Sequence, residues 1–252
     1  MIFFPNAKIN LGLNIIEKRS DGFHNIETLF IPFQLCDILE VVVAKELSIN
    51  LYGMPLNSDP MNNLCVKAYN LIKSRYDIPP VGIHLYKKIP VGAGLGGGSS
   101  DAANTLIALN KFFSLNISDD NLAGYAGMLG SDCPFFIYNT PMIARGRGEM
   151  LSRYDISLDD YRIEMVAPPV FVSTKEAYSE VRPHRWDMQL QDVLALPVEQ
   201  WKELLVNDFE ENIFRKYPLL AKEKTALYER GAVYASMSGS GSSLFGLFRK
   251  SV

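Results

Sequence analysis

The chain has 252 residues, is 48% hydrophobic and carries a formal net charge of −3. That length and apolar content allow one large core or two modest ones. The small negative charge and the lack of a basic run exclude a chain drawn electrostatically to nucleic acid or to an anionic membrane. The three cysteines, Cys36, Cys65 and Cys133, are odd in number and widely spaced. They form neither a metal-ligand pattern nor a disulfide framework, and they fit a reducing, cytoplasmic setting. No signal peptide and no long apolar span is read.

Residues 2–17 read as two strand pieces around Pro5. Ile9, Leu11, Leu13 and Ile15 alternate with Lys8, Asn10, Gly12 and Asn14, so one face is apolar and the other polar. That polar face fits either a solvated surface or the wall of a polar cleft. Ser20-Asp21-Gly22 is a turn, followed by Phe23, His24 and a strand through Ile26, Leu29 and Ile31. Residues 37–44 and 47–53 read as a hairpin, rich in β-branched residues in its first arm. Residues 62–76 are helical, with Leu64, Ala68, Leu71 and Ile72 on the buried face, and Pro79-Pro80 ends the segment. Residues 81–89 form a strand.

After that strand comes Pro90-Val91-Gly92-Ala93-Gly94-Leu95-Gly96-Gly97-Gly98-Ser99-Ser100, and then a helix marked by Ala102, Leu106, Leu109 and Phe113. Ser99 or Ser100 is the expected cap. A strand that runs through glycines into a helix N-terminus presents bare N–H groups and a positive dipole end to an anion. The expectation is a di- or triphosphate site. Gly92, Gly94 and Gly97 also satisfy the dinucleotide fingerprint in form, but Asp119 and Asp120 open a helix rather than ending a second strand. The Walker lysine is missing, and so are the protein-kinase His-Arg-Asp and Asp-Phe-Gly signatures.

Ser118 caps a second helix through Leu122, Tyr125, Ala126 and Leu129, which Gly130 closes. Asp132 then stands at the entry to an apolar run, Phe135-Phe136-Ile137, read as a strand; a capping or turn role is its plain alternative. Residues 142–154 are extended and carry Arg145 and Arg147. The character changes near Leu158. Residues 162–167 form a strand, which 170–173 extend. Thr174 caps a helix and shares a face with Tyr178, four residues on. Helical patterns follow over 186–196, 198–214 and 218–230. Residues 233–237 and 244–248 are strands around Ser238-Gly239-Ser240-Gly241-Ser242-Ser243, a small-residue loop that is either a plain hairpin or a second source of N–H groups for phosphate.

Three stretches together resemble the motifs of the GHMP kinases, small-molecule kinases named for galactose, homoserine, mevalonate and phosphomevalonate. They are Pro5 to Leu13, Pro90 to Ala103 and Ser238 to Ser243. The resemblance implies an α+β fold of two domains. An N-terminal ATP-binding and catalytic domain, residues 1–157, would be like domain 2 of ribosomal protein S5. A C-terminal ferredoxin-like domain would cover 158–252, with the active site in the cleft between them. The family's catalytic pair carries over to Lys8 and Asp132, and its ATP loop to Pro90 through Ser100. The Asp21-Gly22-Phe23-His24 turn, the triple glycine and Ser131-Asp132-Cys133-Pro134-Phe135-Phe136 resemble one branch of the family. That branch phosphorylates a cytidine-diphosphate-linked methylerythritol on the non-mevalonate route to isoprenoid precursors.

The cytidine pocket of that branch carries over to Phe23, His24 and Tyr178, with Asn10 and Thr174 nearby. Position 23 is often Tyr in relatives, so a stacking ring is kept and a hydroxyl lost. A pyrimidine would stack between Phe23 and Tyr178, with His24 supplying discrimination. The implied cofactors are ATP and Mg²⁺, with no residue assigned as a metal ligand. The implied partner is a small molecule with a cytidine diphosphate head, acted on by a monomer or weak homodimer that binds neither nucleic acid nor membrane. A mevalonate-type or homoserine-type alcohol is the alternative substrate. A dinucleotide-dependent oxidoreductase and an RNA-binding module are the readings from other classes.

Overall fold

A computed structural model describes residues 1–56 and 59–250; the last two positions of the expected C-terminal domain lie outside them. In chain order the elements are β1 (Ile2–Phe3), β2 (Asn6–Lys18), β3 (His24–Cys36), β4 (Ile38–Val43), β5 (Ser48–Gly53), α1 (Leu64–Lys73), β6 (Val81–Lys87), α2 (Gly97–Phe112), α3 (Asp119–Leu129) and α4 (Cys133–Tyr138). They continue as β7 (Met142–Gly146), β8 (Met150–Arg153), β9 (Tyr161–Val166), α5 (Thr174–Ser179), α6 (Leu190–Leu194), α7 (Glu210–Lys216), α8 (Pro218–Glu229), β10 (Tyr234–Met237) and β11 (Leu244–Arg249). Short 3₁₀ turns occupy Pro60–Asn62 and Val198–Glu203.

By contacts the chain forms two compact units. The first comprises Met1–Lys8, Pro32–Val91 and Gly96–Thr140; the second comprises Ile9–Ile31, Gly92–Leu95 and Pro141–Val252. This division is interleaved, whereas the sequence reading placed one cut at 157/158.

The first unit is built on a sheet of order β1-β4-β6-β5. The expected hairpin of β4 and β5 does not form. Strand β6 lies between them, antiparallel to β4 and parallel to β5. Burial explains the order. Val81, Ile83, Leu85 and Lys87 of β6 are all buried, which demands a central position, whereas β5 is half exposed and takes the edge. A parallel β5–β6 pair needs a crossover, and α1 supplies it. Asn63 caps α1 by accepting from Cys65 N. Its buried side chains are Cys65, Val66, Ala68, Tyr69 and Ile72, so Leu64 and Leu71 are less covered than expected. Helix α2 packs on α1 and on β4.

Two local expectations in this unit are corrected. Helix α2 begins at Gly97 with Gly96 as its cap residue, φ +69° and no side-chain cap, so Ser99 and Ser100 lie inside the first turn. The apolar run after Asp132 is the helix α4, not a strand. Periodicity cannot separate a short apolar strand from a buried helical turn, and Pro134 in the first turn favours the helix. Ser118 does cap α3, accepting from Asn121 N.

The second unit carries a sheet of order β10-β11-β9, antiparallel throughout. Strands β3 and β7 pair antiparallel, with Ile26 opposite Gly146 and Phe30 opposite Met142, and β8 continues from β7. Its core gathers Leu13, Ile15, Ile26, Phe209, Ile213, Leu220, Leu227, Met237, Leu244 and Phe248. Residues 170–173 do not extend β9. Ser173, not Thr174, caps α5, its hydroxyl accepting from Glu176 N at 3.1 Å.

Candidate active site

In the first unit, β2 delivers Lys8 and the start of α4 delivers Asp132. The Lys8 Nζ lies 3.8 Å from Asp132 Oδ2, with the lysine side chain 4% and the aspartate side chain 34% exposed. Asp132 precedes α4 without capping it, so the plain capping role is not what its carboxylate performs. Burial pushes the Lys8 ammonium below the usual lysine range, and the charge of Asp132 opposes that shift.

The start of α2 lies against the same pair. A side chain added at Gly96 would meet Phe136 of α4 at 2.9 Å and Lys8 Cγ at 3.2 Å. One added at Gly97 would meet Ile89 at 2.9 Å. Within this unit, therefore, the lysine, the carboxylate and the uncapped amides of a 16-residue helix stand together. An anion at that terminus meets N–H donors and the positive end of the dipole. Beneath it, Cys133 is buried and its thiol is pushed up to about 11, chiefly by burial.

In the second unit, Gly92–Leu95 pack with the β10–β11 connection. The Ser238 hydroxyl donates to the Gly94 carbonyl at 3.0 Å, and Ser243 N donates to the Ala93 carbonyl at 3.2 Å. Gly94 has φ +77°, and a Cβ there would sit 1.9 Å from the Ser238 carbonyl oxygen, so no other residue fits. Ser238–Ser243 is thus a hairpin connection that also braces the glycine loop. The buried Asn10 amide donates to Thr28 Oγ1 at 3.0 Å, and its carbonyl oxygen accepts from Ser238 Oγ at 3.5 Å. The polar face of β2 is not solvated: Lys8, Asn10 and Asn14 are each buried.

The remaining expected residues also fall in the second unit. The His24 and Tyr178 rings stack, with centroids 4.7 Å apart and planes 21° from parallel. Burial and the Lys18 charge push the His24 imidazole below its usual pKa. Phe23 is 54% exposed, and the Arg147 guanidinium lies 5.0 Å from its ring centroid. Tyr178 faces His24 and makes an edge contact on Phe209. Thr174 is exposed at the first turn of α5.

A model of the GHMP kinases N terminal domain matches residues 63–140, and one of the GHMP kinases C terminal matches residues 192–252. A Bacteroides thetaiotaomicron protein named 4-diphosphocytidyl-2-C-methyl-D-erythritol kinase is 52% identical over 252 aligned residues, covering 98% of this chain and 92% of that one. The chain belongs to the GHMP kinase family. A crystal structure of 4-(cytidine 5'-diphospho)-2C-methyl-D-erythritol kinase is similar to this GHMP kinase with a TM-score of 0.82 and 34% identity, over 98% of this chain and 90% of that one. A crystal structure of mevalonate kinase, 18% identical, shares the fold with a TM-score of 0.69 over 99% of this chain and 91% of that one. The expected α+β GHMP kinase architecture is the observed one.

Sequence reasoning missed several residues of this GHMP kinase that hold the site in shape. Thr28 receives Asn10 and donates to the Gly12 carbonyl. Asn207 donates to the carbonyls of Met237 and Gly239, fixing both sides of Ser238. Glu210 accepts from Met237 N at 2.7 Å and from Ser236 Oγ at 3.1 Å. Their signal was faint, since a lone Thr, Asn or Glu in a helical or strand pattern ordinarily reads as surface.

Proposed function

We propose that this GHMP kinase transfers the γ-phosphoryl group of ATP to the 2-hydroxyl of 4-diphosphocytidyl-2-C-methyl-D-erythritol, giving the 2-phosphate and ADP on the non-mevalonate route to isoprenoid precursors. The observation that carries the reading is the Lys8–Asp132 pair at 3.8 Å, set against the uncapped start of α2, in a chain whose relatives of that name match along almost its whole length.

In this reading the amides of Gly97, Gly98 and Ser99 hold phosphate oxygens, and the preceding glycines let the backbone approach them closely. Asp132 takes the proton of the attacking hydroxyl as its oxygen bonds to the γ-phosphorus and the β–γ bridging oxygen leaves with ADP. Such general-base help is worth about 10²–10⁴-fold. Lys8, paired with Asp132 at 3.8 Å, offsets charge on the transferred group. Mg²⁺ carried on the triphosphate would bind chiefly through phosphate oxygens and water, which asks for no dedicated protein ligand. Bound there, Mg²⁺ supplies neutralisation of phosphate charge.

In the second unit, Phe23 and the His24–Tyr178 stack are the candidate cytidine holders. Ring stacking accepts any base, at about 1–3 kcal/mol per contact, so hydrogen bonds from His24 supply the choice of cytosine. The test is direct. Purified protein with ATP and Mg²⁺ converts the diphosphocytidyl alcohol to a product one phosphoryl group heavier, read by mass spectrometry, and cytidine nucleotides inhibit it. Turnover of mevalonate or homoserine at equal or greater efficiency would overturn the substrate assignment.

A further inference from the structure

Beneath the start of α2 lies an ion cluster that phosphoryl transfer does not use. The Lys87 ammonium, on the last residue of β6, bonds to Asp37 and lies 2.6 Å from Asp101 Oδ2; all three side chains are at most 3% exposed. Asp37 turns its other oxygen to the backbone, where Oδ1 accepts from Lys88 N at 2.5 Å and Ile89 N at 2.9 Å. Asp101 sits in the early turns of α2, and its Oδ1 is buried with no hydrogen-bond partner among the described residues.

The topology of these contacts is specific. Lys88 and Ile89 are the last residues before the Pro90–Ser100 loop, and Asp101 is the first residue after it. Asp37 grips the outgoing end, Asp101 belongs to the returning end, and Lys87 joins the two. The ends also touch directly, because a side chain at Gly97 would meet Ile89 at 2.9 Å and Lys87 Nζ at 3.4 Å. Burying three charges is expensive, and a well-packed apolar trio is often at least as stable. A geometric duty accounts for the cluster better than stability does.

We propose that Asp37, Lys87 and Asp101 are positioning residues for the phosphate-holding loop, setting the separation of its two ends and so the affinity for the ATP triphosphate. The proposal rests on the kinase reading above, with ATP affinity rather than turnover as its primary readout. The cluster has a further property that a plain clasp lacks. Two carboxylates share one ammonium, so with both ionised the cluster carries one surplus negative charge under an anion site. An amide at position 101 would keep the acceptor for Lys87 and remove that surplus.

The experiment compares Asp101→Ala and Asp101→Asn with the wild type. It uses calorimetric titration with ATP·Mg²⁺, the KM of each substrate, kcat, and the melting temperature. Asp101→Ala is expected to weaken ATP binding by about tenfold or more, while kcat and the alcohol KM stay within about threefold. Asp101→Asn restores ATP affinity to within about threefold of the wild type. Unchanged ATP affinity in a folded Asp101→Ala, or a fall in kcat and both affinities in the same proportion, would overturn the proposal. Should Asp101→Ala fail to fold, Asp101→Glu keeps the charge and lengthens the tie. A folded Asp101→Glu is expected to bind ATP at least about fivefold more weakly, and wild-type affinity in it would refute the assignment. Wild-type protein that binds ATP but leaves the alcohol untouched would sink the kinase reading alone, since the calorimetric comparison still reports on the cluster.

Discussion

At Asp101 one carboxyl meets burial, a lysine and a second aspartate at once. Burial outweighs the pull of Lys87, Asp37 adds to the push, and the carboxyl is raised to about 7. The other ionisable neighbour, Cys65 of α1, is itself pushed far up by burial, and Lys87 is held above its usual value by the two carboxylates against the opposing effect of burial. Between the ordinary carboxylate pKa of about 4 and about 7, the folded state keeps a proton that the unfolded chain has released. Stability from this group is therefore present at low pH, falls as pH rises through that window, and levels off above it. The unfolding free energy of the wild type relative to Asp101→Asn should fall by at least about 1 kcal/mol from about pH 5 to about pH 7.5, in paired urea titrations. A flat difference would show that Asp101 stays ionised across the range.

Among the elements, the glycine loop is held by close backbone approach on one side and by an uncapped helix on the other. Gly94→Ala places a methyl in the left-handed region and against the Ser238 carbonyl, so a loss of roughly 1–3 kcal/mol is expected. Gly124→Ala, in the open middle of α3 with nothing among the described residues within 4 Å of the added methyl, should instead gain about 0.5–1 kcal/mol. Opposite shifts of the two urea midpoints are the check.

These elements also show how far residues alone can be read. The caps at Ser118, the turn at Asp21-Gly22 and the strand-loop-helix around the glycines were legible, because each depends on chemistry within a few positions. The β4–β5 pairing was not, because the centrality of β6 is a property of the sheet. Nor was α4, whose six residues are too few to show a period. Asp37, Lys87 and Asp101 read as ordinary charges, since only the fold brings them into one buried cluster.

Over the whole chain, the two compact units draw on alternating stretches of sequence. Lys8 and Asp132 lie in one compact unit, while Asn10, His24, Tyr178 and the Ser238 hairpin lie in the other. The family resemblance made Lys8 and Asp132 a pair, and their 3.8 Å separation supplies the distance that spacing alone could not. Among the described residues no helix is long and apolar enough to cross a membrane. The account turns on a buried lysine and a carboxylate acting together on an alcohol beside the α2 amides. Single-turnover phosphoryl transfer by Asp132→Asn, with ATP binding measured on the same sample, tests it most directly. Transfer slowed by about 10²–10⁴-fold with ATP affinity retained is the predicted result. Transfer at the wild-type rate would contradict it.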